Sequence, residues 1–388
     1  MNFSANVAAH SKDQDPMADV LLDGALHILL SFDVSEEIDL EALHQILQPS
    51  SRRTSAPGGK GATTDASVHF SHPPVQLSLA DVWNIPIEGC EKTDVVARYY
   101  SFGVIVMEVV SSFQADWNGL GRRAAELEDC CSLHETALRD LVGHLVRRAG
   151  KSVLRPTLGG LTEKYLIVNV RSIRDGSRKI TSAAELKQVY GNSIAGLLRG
   201  ETQPLAEDEV REVMSTSSSY YETDLTVVTS SAAFIFDRPN DAEVETQVLE
   251  YAKLQLLEFR YYDALLARVL DDVYKALGKR RNIVFERWTL PREANRFNRI
   301  RVDTMDLMER VDSAVKFVND IFYARVYRLA AERMGIPEYR SVADEKVRTL
   351  GELYMFMVEQ FNETRTFVLE IIAAVLALVD ILFLLRWH

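Results

Sequence analysis

Little in this sequence points to chemistry. Its three cysteines, Cys90, Cys130 and Cys131, fall into no metal-ligand spacing and no even-numbered disulfide framework. Neighbouring thiols such as Cys130 and Cys131 rarely bridge, because the closed ring is strained. Reduced thiols in a cytosolic-type compartment are therefore expected. HExxH, G-x-S-x-G and paired Cys-x-x-Cys motifs are all missing, which removes the common zinc-hydrolase, serine-hydrolase and zinc-ribbon signatures. The eight histidines are scattered. His134 and His144 read as surface residues rather than ligands, since ligands come in clusters. The segment GGKGATT at 58–64 lacks the G-x-x-x-x-G-K-[ST] spacing and a strand leading into it, so it is not a phosphate loop. No catalytic, cofactor-binding or metal residue is assigned, and an enzyme is not expected.

Positive charge is also scarce. Lys and Arg number 44 against 56 Asp and Glu, a formal net charge of −12. Lys279, Arg280 and Arg281 form the longest basic run, too short for a nucleic-acid patch and suited to a helix C-terminus. The tyrosine pairs Tyr99-Tyr100, Tyr220-Tyr221 and Tyr261-Tyr262 have only Arg98 and Arg260 beside them, which argues against a base-stacking platform. They read as residues with one ring in the core and one at its rim. Direct nucleic-acid binding is not expected. The first residues, MNFSANVAAHSKDQDP, lack a basic segment leading into an apolar one and are not Arg-rich, so neither a secretory signal nor a mitochondrial transit peptide is read there.

What the chain does contain is a graded order of segments. Residues 1–24 are polar and expected to be a disordered tail. Residues 25–239 read as an α+β body. ALHILLSFD at 25–33 is a short apolar run, strand or helix end, and 35–48 has helical periodicity. The Pro/Gly/Ser/Thr-rich stretch 49–67 is expected to be a flexible linker. DVVARYYSFGVIVMEVV at 94–110 predicts two strands about a turn at 101–103, and 163–173 a further strand. Helices are expected at 117–128, 133–148, 182–198 and 205–214, and a hairpin at 220–237.

From 240 to 365 the pattern predicts a three-helix, coiled-coil-like stalk. Leu256, Phe259, Asp263 and Leu266 lie on a 3-4 seam in the first helix, and polar Asp263 is suited to fixing register. A second helix is expected from about 292 to 334. In the last helix Leu350, Tyr354, Met357 and Phe361 continue the seam, which runs unbroken into 367–385, FVLEIIAAVLALVDILFLL. Nineteen helical residues rise about 28 Å, close to a bilayer's hydrocarbon thickness. A transmembrane anchor at 366–388 is expected, with Arg386 and Trp387 at the interface. Glu370, Ala373, Ala377 and Asp380 share one stripe of that helix, a seam for helix packing or water. The alternative is a helix buried against the protein's own core.

The order of these elements carries a resemblance. "SFDVSEEIDLEAL", "YYSFGVIVMEVV", "YYETDLTVVTSSAAFIFD", "LEFRYYDALL" and "LEIIAAVLALVDIL" together resemble the family named for being required for meiotic nuclear division. That domain-of-unknown-function group has bacterial and mitochondrial members. The resemblance implies a soluble α+β body, a helical stalk, one C-terminal membrane helix, large complexes and a ribosome-associated partner. It supplies no catalytic residues.

The expected fold is thus a mixed α/β body, a long antiparallel helical stalk and one C-terminal transmembrane helix. The expected function is a membrane-anchored oligomeric scaffold or tether. A CorA-like oligomeric ion-transport assembly is the alternative, and a membrane-surface enzyme ranks third. The expected partners are the lipid bilayer, further copies of the chain and a protein; no cofactor is expected. The expected location is the cytoplasmic membrane, single-pass with the body in the cytoplasm, ranked above the mitochondrial inner membrane.

Overall fold

Strand β1, Val20–Asp33, lies at the heart of a large sheet. The structure is a computed structural model that describes residues 20–47, 51–53, 73–79, 93–156, 160–176, 178–278, 298–299, 302, 305 and 321–387. The further strands are β2 (Ser35–Ile38), β3 (Ser51–Arg53), β4 (Val75–Ser78), β5 (Thr93–Tyr99), β6 (Val104–Ala115) and β7 (Val153–Pro156). They are followed by β8 (Thr162–Asp175), β9 (Arg178–Ile180), β10 (Ser217–Ser218), β11 (Leu225–Val228) and β12 (Ala232–Phe236). The helices are α1 (Leu40–Leu47), α2 (Trp117–Leu133), α3 (Glu135–Ala149), α4 (Ala183–Arg199), α5 (Glu207–Ser215), α6 (Pro239–Gly278), α7 (Ile321–Met334) and α8 (Ile336–Trp387).

Among the described residues the main sheet has ten strands in the order β10-β11-β12-β8-β1-β6-β5-β4-β3, with β9 on β8. Every pairing is antiparallel except β12 with β8. β2 and β7 form a separate ribbon. β5 and β6 turn at 101–103 as the sequence predicts, and Gly103 takes φ +91 there. A Cβ on Gly103 would stand 1.7 Å from the Ser35 carbonyl oxygen, so only glycine fits.

Because side chains alternate along a strand, one sheet produces two faces. On one, Leu26, Ile28, Leu30, Phe32, Met107, Val109, Val168 and Phe234 are buried in the main apolar core. Helices α1 to α4 contribute Leu43, Leu120, Leu127, Leu145, Leu186 and Ile194 to it. Local chemistry sets the ends of these helices. Asp116 accepts a hydrogen bond from the Gly119 amide at 2.7 Å to cap α2. Gly200, in the left-handed region, closes α4, and the Glu201 amide bonds back to the Gly196 carbonyl at 2.9 Å.

The chain divides into two compact units, residues 1–254 with 317–334, and residues 255–316 with 335–388. The first contains the sheet, the opening turns of α6 and helix α7, whose Arg325 donates to the Ser219 carbonyl at 3.0 Å. In the second, Leu256, Phe259, Leu266, Leu350 and Met357 are buried and Tyr354 is half-buried.

Several expectations change in this light. The disordered tail cannot extend to 24, because β1 begins at Val20. The helix expected over 35–48 starts only at Leu40, after strand β2; Asp39 accepts from the Glu41 and Ala42 amides and caps it. Within the expected linker 49–67, Ser51–Arg53 pair with β4 as an edge strand, and the remainder lies outside the described residues, as does GGKGATT. The body also continues past 239 into α6, and α7 groups with it instead of with the stalk. The last helix is one continuous element of 52 residues into the apolar tail. Among the described residues no helix is long and apolar enough to cross a membrane. Of the anchor expected at 366–388, the side chains of Glu370 and 373–377 are described, and these are exposed.

Candidate functional site

The second face of the sheet carries buried polar groups among apolar residues such as Leu29, Val106 and Ile167. Ser31, Asp33, Arg98, Glu108, Glu163 and Asn169 all occupy it and all are buried. Partners for Arg98, Glu163 and the neighbouring Thr226 come from the first four turns of α6. Glu245 accepts from the Thr226 hydroxyl, and the Lys253 ammonium lies 2.8 Å from Glu163 and over the Tyr165 ring. Tyr251 meets Phe102 edge-on at 6.4 Å.

At the centre is an ionic cluster. The Arg98 guanidinium donates from Nε and Nη2 to the two oxygens of Glu250, at 2.9 and 2.6 Å. Its Nη1 donates to Glu108 at 2.6 Å. Tyr100 donates its hydroxyl to Glu250 at 2.8 Å, and His27 Nδ1 meets the other Glu108 oxygen at 2.8 Å. Arg98 and Glu108 are under a tenth exposed and Glu250 only 1 %. Such a fork is the geometry in which Arg binds carboxylates best.

One guanidinium thus serves two carboxylates, and their surroundings separate them. Burial alone would raise both. For Glu108 the Arg98 charge and the His27 contact override burial and hold the carboxyl well below the usual range. For Glu250 burial wins, and its pKa is raised despite Arg98. Burial likewise pushes up Tyr100, while the two carboxylates keep Arg98 firmly charged against its own burial. Carboxyl groups driven apart in this way are a mark of functional clusters as well as of structural ones.

The cluster forms one wall of a cavity of about 320 Å³. Ala25 and His27 of β1, Gln76 of β4, Asn169 and Arg171 of β8, and Glu243, Thr246 and Gln247 of α6 complete it. A β-bulge brings Arg171 there. The β1–β8 register skips it, passing from Asp23–Ser172 to Gly24–Val170. Bulges re-aim side chains, and Arg171 Nη2 reaches Asp23 at 3.2 Å and the Gly24 carbonyl at 3.4 Å. Gly24 is needed here, since a Cβ would lie 2.1 Å from the Asn169 carbonyl oxygen. Among the described residues no group of three or more His, Cys, Asp or Glu is placed to hold a metal ion.

None of the seam or anchor residues singled out from the sequence lines this cavity, whereas Tyr100 and Arg98, read there as a core-and-rim tyrosine and its basic neighbour, do. Asp263 of the stalk seam is engaged elsewhere: Lys346 of α8 donates to its carboxylate at 2.6 Å and to its carbonyl at 3.1 Å. Glu370, Ala373 and Ala377 are exposed, while the side chains of Phe361, Asp380, Arg386 and Trp387 lie outside the described residues. Of the thiols, Cys131 is buried and pushed up to about 12 by that burial; Cys90 lies outside the described residues. His134 sits at the C-terminus of α2, where its ring meets the Cys130 carbonyl at 2.9 Å. The signal missed in the sequence is a charge set among apolar strand residues, Arg98 in VVARYY and Glu108 in VIVMEVV.

A family described as "Uncharacterized protein MJ0711, N-terminal domain" matches residues 23–243. That span covers the sheet but for residues 20–22, and every cavity residue named above except Thr246, Gln247 and Glu250. A relative from Methanocaldococcus jannaschii, "Uncharacterized protein MJ0711", is 18% identical over 186 residues, 48% of this chain and 56% of its own length. The match therefore spans little more than half of that relative. No solved structure matches. Neither description refers to meiotic nuclear division. The match extends over more than half of the chain, which therefore belongs to the family of the MJ0711 N-terminal domain.

Proposed function

We propose that this protein is a membrane-anchored tether: an α+β head held to a bilayer by the end of α8, with copies gathering along their helices. The observation that carries the reading is the continuity of α8, one helix from Ile336 to Trp387. It joins a half that packs through Leu350 and Met357 to a tail whose 373–377 turns are exposed. Exposed apolar turns at the end of a long rod need a cover, and lipid is the cover that 367–385 suits by length and composition. Ala373 and Ala377 are small enough for close helix approach, and Glu370 and Asp380 on the same stripe favour a protein or hydrated neighbour over acyl chains. The Asp263–Lys346 pair suits a stalk whose register is set by one polar contact. The arrangement supplies a place and a means of assembly and requires no catalysis by the head.

The test is fractionation of cells expressing the full chain and a chain ending at 365. The full chain is expected in the membrane pellet and to resist carbonate extraction, with the shortened chain in the supernatant. Detergent-solubilised full chain should show a mass above that of one copy. Full chain recovered wholly in the supernatant would refute the anchor.

A further inference from the structure

The tether leaves the cavity on the polar face without a use, and its hydrogen bonding is incomplete in one direction. Asn169 is nine-tenths buried, yet its Oδ1 has no hydrogen-bond partner among the described residues. Gln247 Oε1, on the α6 side, is also buried and without a partner among the described residues, in a side chain that is half-buried as a whole. Buried polar atoms are normally paired, and the exceptions call for an explanation such as a ligand. His27 Nδ1 is engaged by Glu108 at 2.8 Å.

Several of the donors, by contrast, are engaged. Arg98 spends three N–H groups on Glu108 and Glu250, Tyr100 spends its hydroxyl on Glu250, and Arg171 leans on Asp23 and the Gly24 carbonyl. Thr246 donates back to the Ala242 carbonyl. Glu108, Glu243 and Glu250 outnumber Arg98 and Arg171 among the lining charges. Ala25, Pro74, Val110 and Pro239 add apolar wall suited to a short methylene chain. The volume lies at the low end of the range for small-molecule sites.

We propose that this cavity binds a small organic cation, an ammonium or guanidinium group on a short carbon chain, whose N–H groups are taken by Asn169 Oδ1 and Gln247 Oε1. The inference goes beyond the tether and is independent of it, since a head without an anchor would carry the same cavity. It makes the head a receptor for a metabolite-sized amine.

The full chain in mild detergent is titrated calorimetrically with agmatine, putrescine and methylammonium, and with glutarate as the anionic counterpart. Saturable binding of at least one cation is expected, with a higher Tm in its presence and no binding of glutarate. Asn169→Leu replaces the unpaired acceptor by an apolar group of similar size. It should weaken cation binding about tenfold or more, while the empty protein unfolds at an equal or higher temperature. Gln247→Leu, on the opposite wall, should weaken binding in the same direction and covers the case in which the first variant misfolds. No saturable binding of any of the three cations to folded wild type, preferential binding of glutarate, or undiminished affinity in both variants would each overturn the proposal.

Discussion

The two faces of the sheet are made by alternate residues of the same strands, yet they are held by different forces. Behind Ile28, Met107, Val168 and Phe234 the packing is hydrocarbon on hydrocarbon, and no particular partner is required. Behind Arg98, Glu108 and Tyr100 each group depends on a named counterpart, Glu250 of α6 or a neighbour on the sheet. The apolar face can lose a methyl group and relax. The polar face cannot lose one partner without stranding another, because an uncompensated buried charge is far costlier than a small void. This contrast teaches where sequence change is tolerated and where specificity has been built.

The contrast breaks most visibly at Glu250. Glu250→Ala leaves Arg98 with one carboxylate and Tyr100 without its acceptor, and should cost roughly 3–5 kcal/mol in urea unfolding. Replacing Arg98, Glu108 and Glu250 together by Met, Leu and Leu should cost much less than the single change. A loss under about 1 kcal/mol for Glu250→Ala would mean that the cluster is not the fastening described above.

Next in size is a pH effect at Asp33, which burial raises from 3.8 to about 7. The folded state keeps its proton up to about pH 7, whereas the unfolded chain releases it near pH 4. Stability attached to this group is therefore whole below about pH 4 and is lost as the pH rises towards 7. Above pH 7 the fold carries a buried charge. Asp33→Asn should match wild type at pH 4 and exceed it by roughly 2–4 kcal/mol at pH 8. An equal difference at both pH values would show that Asp33 does not titrate in this way.

The smallest effect sharpens the comparison from the other side. Ile28→Val on the apolar face should cost about 0.5–1.5 kcal/mol, and by the same amount at pH 4 and pH 8. Thermal unfolding across that range checks it, and a pH-dependent cost would blur the distinction between the faces.

Much of the element order was legible beforehand. The β5–β6 pair, β8, the β11–β12 hairpin and helices α2 to α5 lie close to where periodicity and turn residues put them. The long helix α6 was legible from its lack of internal proline and glycine, and α8 from its 3-4 seam, despite Pro337 and Gly351. The cavity was not. Glu250 sits 152 residues from Arg98 in the chain, and no pattern in either segment indicates that the two should meet. The α6 seam read from the sequence, Leu256 to Leu266, begins only after Glu245, Glu250 and Lys253, which are buried against the sheet. Likewise β2 and β3 were lost to a helix and a linker, since three or four residues carry too little periodicity to outweigh their neighbours.

By itself the sequence determined the kinds of elements, their order and the grading from polar head to apolar tail. Those follow from local propensity and from the spacing of side chains along one strand or one helix turn. Only the tertiary structure decided which charges are buried, which carboxylate is lowered and which raised, and which acceptors face an empty volume. A residue's partners are set by register across strands and by the helix laid over them, and neither is written in the residues next to it.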